Sequence, residues 1–398
     1  MGVRRRACLL LCLLLPACSS GTPTRDAAPT SSTETSSPET SSAEPSPSPT
    51  PAGPEDLVAA ALDELDPRAE VAQLFLAGVP LDGLAAAEPL VRDGVGGVFL
   101  AGRSEAAAQE LAATAAAWQA LAPGPDLWIA ADQEGGAVQT LKGPGFDRLP
   151  PAYDQGRLPP EQLAALAEEL GAALGAAGVN LNLAPVVDVV PAGTERANAP
   201  IGHHRRHYGS TAPEVTEAAG TVVDGLAAAG VTATLKHFPG LGRVQANTDN
   251  SAEVVDTVTT ARDPEVAAFG TLARSPAAPF VMVSSATYTR IDTAHRAVFS
   301  SVVLTDLLRD RLGFDGVIVS DDVGAAEAVQ DVPPGERAVR FLAAGGTMVL
   351  TVEPSDVPTM IDAVLARSGQ DRAFAATVDD AVRTALLAKA HAGLLTAD

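Results

Sequence analysis

Eight apolar runs of strand length recur along the chain between Gln73 and Val352. They are Gln73–Val79, Gly97–Ala101, Leu127–Ala131, Leu181–Val187, Val231–Lys236, Phe280–Ser284, Gly316–Ser320 and Thr347–Val352. Turn residues follow each run, and alanine-rich stretches with helical spacing lie between them, Pro160–Ala177 and Pro213–Ala229 among them. Runs that are apolar at nearly every position suit strands buried on both faces, because a half-exposed strand would alternate. Strands and helices in alternation predict an α/β fold with a parallel sheet, and eight such units suit a single-domain (β/α)8 barrel. A doubly wound open sheet is the alternative, but no Gly-x-Gly-x-x-Gly follows the first strand.

Polar residues interrupt this pattern where a barrel would use them. Asp132-Gln133-Glu134-Gly135-Gly136, Asp188, Lys236-His237-Phe238-Pro239-Gly240 and Asp321-Asp322 follow the third, fourth, fifth and seventh runs. One strand-end aspartate is commonly a helix cap. Several charged clusters at the same end of one barrel are what an active site requires.

The first 54 residues have a different character. Arg4, Arg5 and Arg6 precede the apolar stretch Leu9–Leu15, the pattern of a secretory signal too short to remain in a bilayer. Its end, Leu15-Pro16-Ala17-Cys18, resembles a bacterial lipobox, which implies that Cys18 is lipidated and holds the protein on the outer face of the cell membrane. Ordinary cleavage, with Cys18 incidental, is the other reading. Ser, Thr and Pro supply 25 of the 36 residues from 19 to 54, and no large apolar side chain occurs there. Such a segment cannot offset its ordering entropy, so a disordered stalk is expected. Extended, it reaches roughly 110 Å at about 3.1 Å per residue. The globular part is then 55–398.

Composition narrows the chemistry. All three cysteines, Cys8, Cys12 and Cys18, precede the stalk, so the barrel has no disulfide, thiolate metal site or cysteine nucleophile. A net charge of −22 opposes nucleic-acid binding and leaves the lipid anchor as the membrane contact. Oligomeric state is not encoded in any motif, and a monomer is expected.

The clusters, together with Val71-Ala72-Gln73-Leu74-Phe75, Gly96-Gly97-Val98, Leu181–Val189 and Gly313–Asp322, resemble glycoside hydrolase family 3. The similarity is to its single-domain β-N-acetylhexosaminidase branch and covers nearly all of 55–398. On that resemblance Asp321, the first acid after Ser320, takes the nucleophile position of a retaining glycosidase. Asp322 has a plainer reading as a cap. Asp132, Lys236 and His237 fall on residues that bind sugar hydroxyls, Lys236 as a charged donor and His237 as a neutral one. The family arginine after the fourth strand lies in a segment that here, Ile201–Gly209, is two residues longer. Counting back from Tyr208-Gly209 selects Arg206, and counting forward from Gly202 selects His204; Arg206 is preferred. His203, His204 and His207 have no acidic partner at metal-ligand spacing, so a solvated loop is preferred to a metal site.

Two departures from the family stand out. Thr140 occupies the place of a sugar-binding arginine, which removes a charged donor and opens the identity of the sugar. After the fifth strand the family carries an Asp-x-His dyad as acid/base, where this chain has Asn247 and Asp249. Either Asp249 itself moves the proton, as a carboxylic acid does in most retaining glycosidases, or the protein binds sugar without turnover. Glu253 is the nearest other carboxylate. The resemblance therefore implies an exo-hydrolase that removes terminal β-linked N-acetylhexosamine from cell-wall fragments, needing no cofactor. A β-glucosidase-like enzyme and a non-catalytic sugar-binding lipoprotein are the alternatives.

Overall fold

The computed structural model describes residues 53–397, so the expectations for the signal, for Cys18 and for the stalk up to residue 52 lie outside the described residues. Eight parallel strands form one sheet: β1 Phe75–Pro80, β2 Gly97–Ala101, β3 Trp128–Ala131, β4 Leu181–Asn182, β5 Thr232–Phe238, β6 Phe280–Val283, β7 Ile318–Ser320 and β8 Val349–Thr351. Each strand from β1 to β6 pairs with the next, and β8 returns to β1 through Phe75–Val349, Leu76–Leu350 and Ala77–Thr351. The circle closes where Val319 bridges Met348 and the Ser320 N–H donates to the Met348 carbonyl (2.9 Å). This is the (β/α)8 barrel that the spacing of apolar runs predicts.

Helices cover the outside. Pro160–Ala176 and Ala212–Ala228 begin and end within one residue of the expected stretches. The second starts in a capping box, with the Glu214 carboxylate accepting from the Thr211 N–H (3.1 Å). The fourth strand is the main departure. Its apolar run extends to Val187, yet the regular ladder stops at Asn182, because Pro185 brings no N–H to the sheet. Pairing resumes only as an isolated bridge between Val186 and Lys236. The chain after β4 is thereby delivered to the barrel mouth at the level of Lys236.

Trp128 of β3 and Phe280 of β6 meet edge to face, 5.1 Å between ring centroids, and fill the interior near the N-terminal ends of the strands. Below them Lys389, from the helix Arg372–His391, is only 1% exposed. Its ammonium donates to Gln73 Oε1 (2.7 Å), and the Gln73 amide donates to the Gly94 carbonyl (2.8 Å). Burial beside a neutral amide lowers the Lys389 pKa to about 7.

Candidate active site

At the other end, the strand termini bring the polar clusters into one cavity of about 330 Å³. Asp132, Arg206, Lys236, His237, Asp249 and Asp321 all line it, with Phe99, Leu183, Met282 and Leu350 supplying apolar walls. Lys236 and His237 are consecutive, and a regular strand would point them in opposite directions. The β5–β6 register shifts between Leu235 and Phe238, and this bulge turns both side chains to the cavity.

Two cations and two carboxylates interlock at one side of the cavity. Lys236 Nζ lies 2.5 Å from Asp132 Oδ1 and 2.7 Å from Glu134 Oε1. Arg206 donates to Glu134 through two parallel bonds, Nε to Oε2 (2.9 Å) and Nη2 to Oε1 (2.7 Å). Burial alone would raise the Glu134 carboxyl, but the Arg206 and Lys236 charges overcome it and pull it down to about 2. Burial likewise opposes the Lys236 charge, and Asp132 and Glu134 more than restore it, so its pKa is raised. Asp132 is the more exposed of the two carboxylates and faces the cavity. Glu134 is the inner anchor that orients both cations.

Asp188, fully buried, does the same for His237. Its Oδ2 lies 2.7 Å from His237 Nδ1, while Oδ1 accepts from the backbone N–H groups of His237 (3.2 Å) and Leu241 (2.6 Å). Asp188 thus holds Nδ1 and leaves Nε2 as the ring nitrogen of His237 open to a ligand.

Asp321 follows β7 at the base of the cavity, its Oδ1 accepting from the Asp322 N–H (2.9 Å). Burial raises its pKa to about 6; the neighbouring Asp249 and Asp322 carboxylates add to this, and His237 opposes it. Asp322 is spent on structure, as its capping reading anticipated. It accepts from the N–H groups of Gly324, Ala325, Ala326 and Val352 at 2.8–3.1 Å.

Asp249 stands at the open lip on the segment after β5. Its backbone N–H donates to Asn247 Oδ1 (3.2 Å), and Asn247 Nδ2 donates back to Asp249 Oδ2 (3.1 Å). The segment is held along its length. Gly242 packs so closely on Val189 that a β-carbon would lie 1.8 Å from the Val189 carbonyl oxygen. The Tyr288 hydroxyl donates to the Gly240 carbonyl (3.0 Å), and the carbonyls of Thr248 and Asp249 accept from Ala328 (3.0 Å) and Glu327 (3.2 Å). Glu253 is on the far side of this segment and does not line the cavity.

The remaining sequence candidates fall elsewhere. His204 is exposed and lines an outer groove with His203 and Arg205, so the longer loop presents Arg206, not His204, to the cavity. His207 is buried against Tyr153, 5.1 Å between ring centroids, so the three histidines do not converge. Thr140 is 1% exposed and outside the cavity, its backbone bonded to Asp132 and Ser104. Among the described residues, Lys236 and Arg206 are the cations that line it. Sequence reasoning gave no role to Glu134 or to the Asp188 contact with His237. Both lay within recognised clusters, but only the fold reveals which partner each one faces.

The chain was compared with known proteins. The family model described as the glycosyl hydrolase family 3 N terminal domain matches residues 68–386. A beta-hexosaminidase of Stenotrophomonas maltophilia (strain R551-3) is 35% identical over 314 residues, covering 74% of this chain and 88% of that protein. Among solved structures, the beta-N-acetylhexosaminidase from Beutenbergia cavernae DSM 12333 superposes with a TM-score of 0.79 at 46% identity, covering 82% of this chain and 98% of the other. The family 3 beta-N-acetylglucosaminidase from Paenibacillus sp. str. FPU-7 gives a TM-score of 0.72 at 29% identity, over 83% of this chain and 63% of that one.

Proposed function

The chain belongs to glycosyl hydrolase family 3 and is a glycosidase, and from that premise we propose that it releases terminal β-linked N-acetylglucosamine from cell-wall fragments with retention of configuration. The observation that carries this reading is the convergence of Asp321 and Asp249 on one small cavity, near enough for the Asp249 charge to raise the Asp321 pKa. Asp321 attacks the anomeric carbon and forms a glycosyl ester as Asp249 gives its proton to the departing oxygen. Asp249 then takes a proton from water, which attacks the same carbon and releases Asp321. Asp132, Lys236 and Arg206 hold the hydroxyls of the terminal sugar, with His237 Nε2 hydrogen-bonded to one of them. A cavity of about 330 Å³ lies at the small end of ligand sites and suits one terminal sugar, consistent with exo action.

A panel of aryl β-glycosides tests the assignment on the purified chain. Turnover of the N-acetylglucosaminide and not the glucoside supports it. A preference for the glucoside moves the protein to the β-glucosidase reading. Sugar binding with no turnover of any member makes it a binding protein.

The same proposal places the enzyme outside the cell membrane, anchored through Cys18 and acting as a monomer. Its support is the lipobox-like Leu15-Pro16-Ala17-Cys18 ahead of the Ser/Thr/Pro-rich segment. Cys18→Ser is expected to move the protein from the membrane fraction to the soluble one. Unchanged membrane association would refute the anchor.

A further inference from the structure

The loop Ile201–Gly209 carries three consecutive titratable or charged side chains, His203, His204 and Arg205, that do not line the sugar cavity. Arg205 is a non-glycine residue in the left-handed region, with φ 57°. A bulky side chain keeps that conformation only where its surroundings fix it. Here the Arg205 N–H donates to the Gly202 carbonyl (3.0 Å), and the Arg205 carbonyl accepts from the Tyr153 N–H (3.1 Å). The Arg206 N–H then donates to the Ile201 carbonyl (3.0 Å). This turn sends Arg206 into the cavity and leaves the three preceding side chains exposed along the outer groove.

That groove, of about 590 Å³, reverses the charge of the molecule. The chain holds 49 acidic against 27 basic residues, yet Arg148, His203, His204 and Arg205 line the groove and no carboxylate does. Arg103 joins them by donating to the carbonyl of Ala137, a lining residue (3.1 Å). Arg157 and Arg205 both lie over the Tyr153 ring, 3.3 and 5.0 Å from its centroid. Among the described residues, Asp154 is the one carboxylate in ionic contact with these arginines, and it is paired with Arg205. Arg103, Arg148 and Arg157 have none. Partial burial, then the charges of His203 and Arg206, hold the His204 pKa down, so the positive potential is felt within the cluster. Uncompensated cations gathered on a strongly acidic surface complement an anion.

The arrangement also selects the kind of anion. Arg103 is held by the Gly102 and Ala137 carbonyls, Arg157 by the Tyr153 carbonyl and Arg205 by Asp154, so the cations are strung out and match charges spaced along a chain. Guanidinium forks suit phosphate oxygens. A single-stranded nucleic acid would bring bases that need an open aromatic face, and two guanidinium groups already cover the Tyr153 ring. A stiff duplex would lie across acidic surface as well. A flexible chain touches the groove and turns away into solvent, where screening over about 8 Å removes the repulsion. We propose that this groove docks a flexible, single-chain phosphodiester polymer without aromatic bases, which holds the mouth of the barrel beside it. The docking is independent of turnover in the cavity.

Fluorescence anisotropy with a labelled poly(glycerol phosphate) of about ten units tests this on the purified chain near pH 6, where histidine carries partial charge. Binding is expected, with log K falling against log salt at a slope of about −2 to −3, as three or four neutralised phosphates on a single strand give. Arg148→Glu combined with His203→Glu is expected to weaken binding about tenfold or more, with the thermal unfolding midpoint moved by less than about 2 °C. No binding by the wild-type chain, or binding that the double substitution leaves intact, overturns the proposal. Tighter binding of an oligothymidylate of equal length overturns the choice of partner. If the double variant is unstable, Arg148→Gln alone is expected to weaken binding about threefold and to flatten the salt slope by about 0.7. An unchanged slope in that variant overturns the docking site.

Discussion

Asp321→Ala is expected to lower kcat/KM on every glycoside substrate by on the order of 10⁴-fold or more, since no other carboxylate takes the place of a lost nucleophile. The side chain follows β7 at the base of the cavity, and its neighbour Asp322 is committed to four backbone N–H groups. A slow fluorosugar inactivator with peptide mapping should find the label on Asp321. A label elsewhere, or an active Asp321→Ala enzyme, refutes the assignment. The pH profile gives a second check. Asp321 attacks only when ionised, so with its pKa near 6 the rate is expected to fall as pH drops through that value.

Asp249→Ala is expected to slow substrates with poor leaving groups by about 10² to 10⁴-fold, the usual worth of a general acid. Activated aryl glycosides need little protonation and should suffer far less at the glycosylation step. Deglycosylation still needs a base, and azide should restore it by attacking the intermediate as an anion. Glu253→Ala is expected to leave both kinds of hydrolysis intact on aryl glycosides, because Glu253 does not line the cavity. If Asp249→Ala matches the wild-type chain on both substrate types, the proton is moved from outside this segment.

The barrel was legible because apolar runs buried on both faces leave a signal that depends little on tertiary detail. The fourth strand misled, since a run of apolar residues says nothing about hydrogen bonding and Pro185 removes a donor within it. Asp132, Lys236, His237 and Asp321 sat in motifs whose order along the chain matched their place around the mouth. Their supports were harder to see. Glu134 lies 72 residues from the arginine that it anchors, and no local pattern distinguishes an inner carboxylate from an outer one. Which nitrogen of His237 is left open to the cavity depends on which one meets Asp188, a matter of side-chain geometry alone. Least legible was the outer groove, whose cations come from short stretches near residues 103, 148, 157 and 204 that carry no motif.

Lys389 and Asp321 sit at opposite ends of the barrel, and the proton equilibria of both bear on folding. In each case the fold disfavours the charged form. An ordinary aspartate ionises near about 3.9, so raising Asp321 to about 6 costs stability progressively over that interval and fully above it. Lys389 runs the other way. The unfolded chain holds its proton to about 10.4 and the folded one only to about 7, so its cost is complete below about 7 and fades as pH rises. The two costs overlap most fully between about pH 6 and 7. There the nucleophile becomes active, and the barrel bears an ionised carboxylate at its mouth and a buried ammonium at its floor.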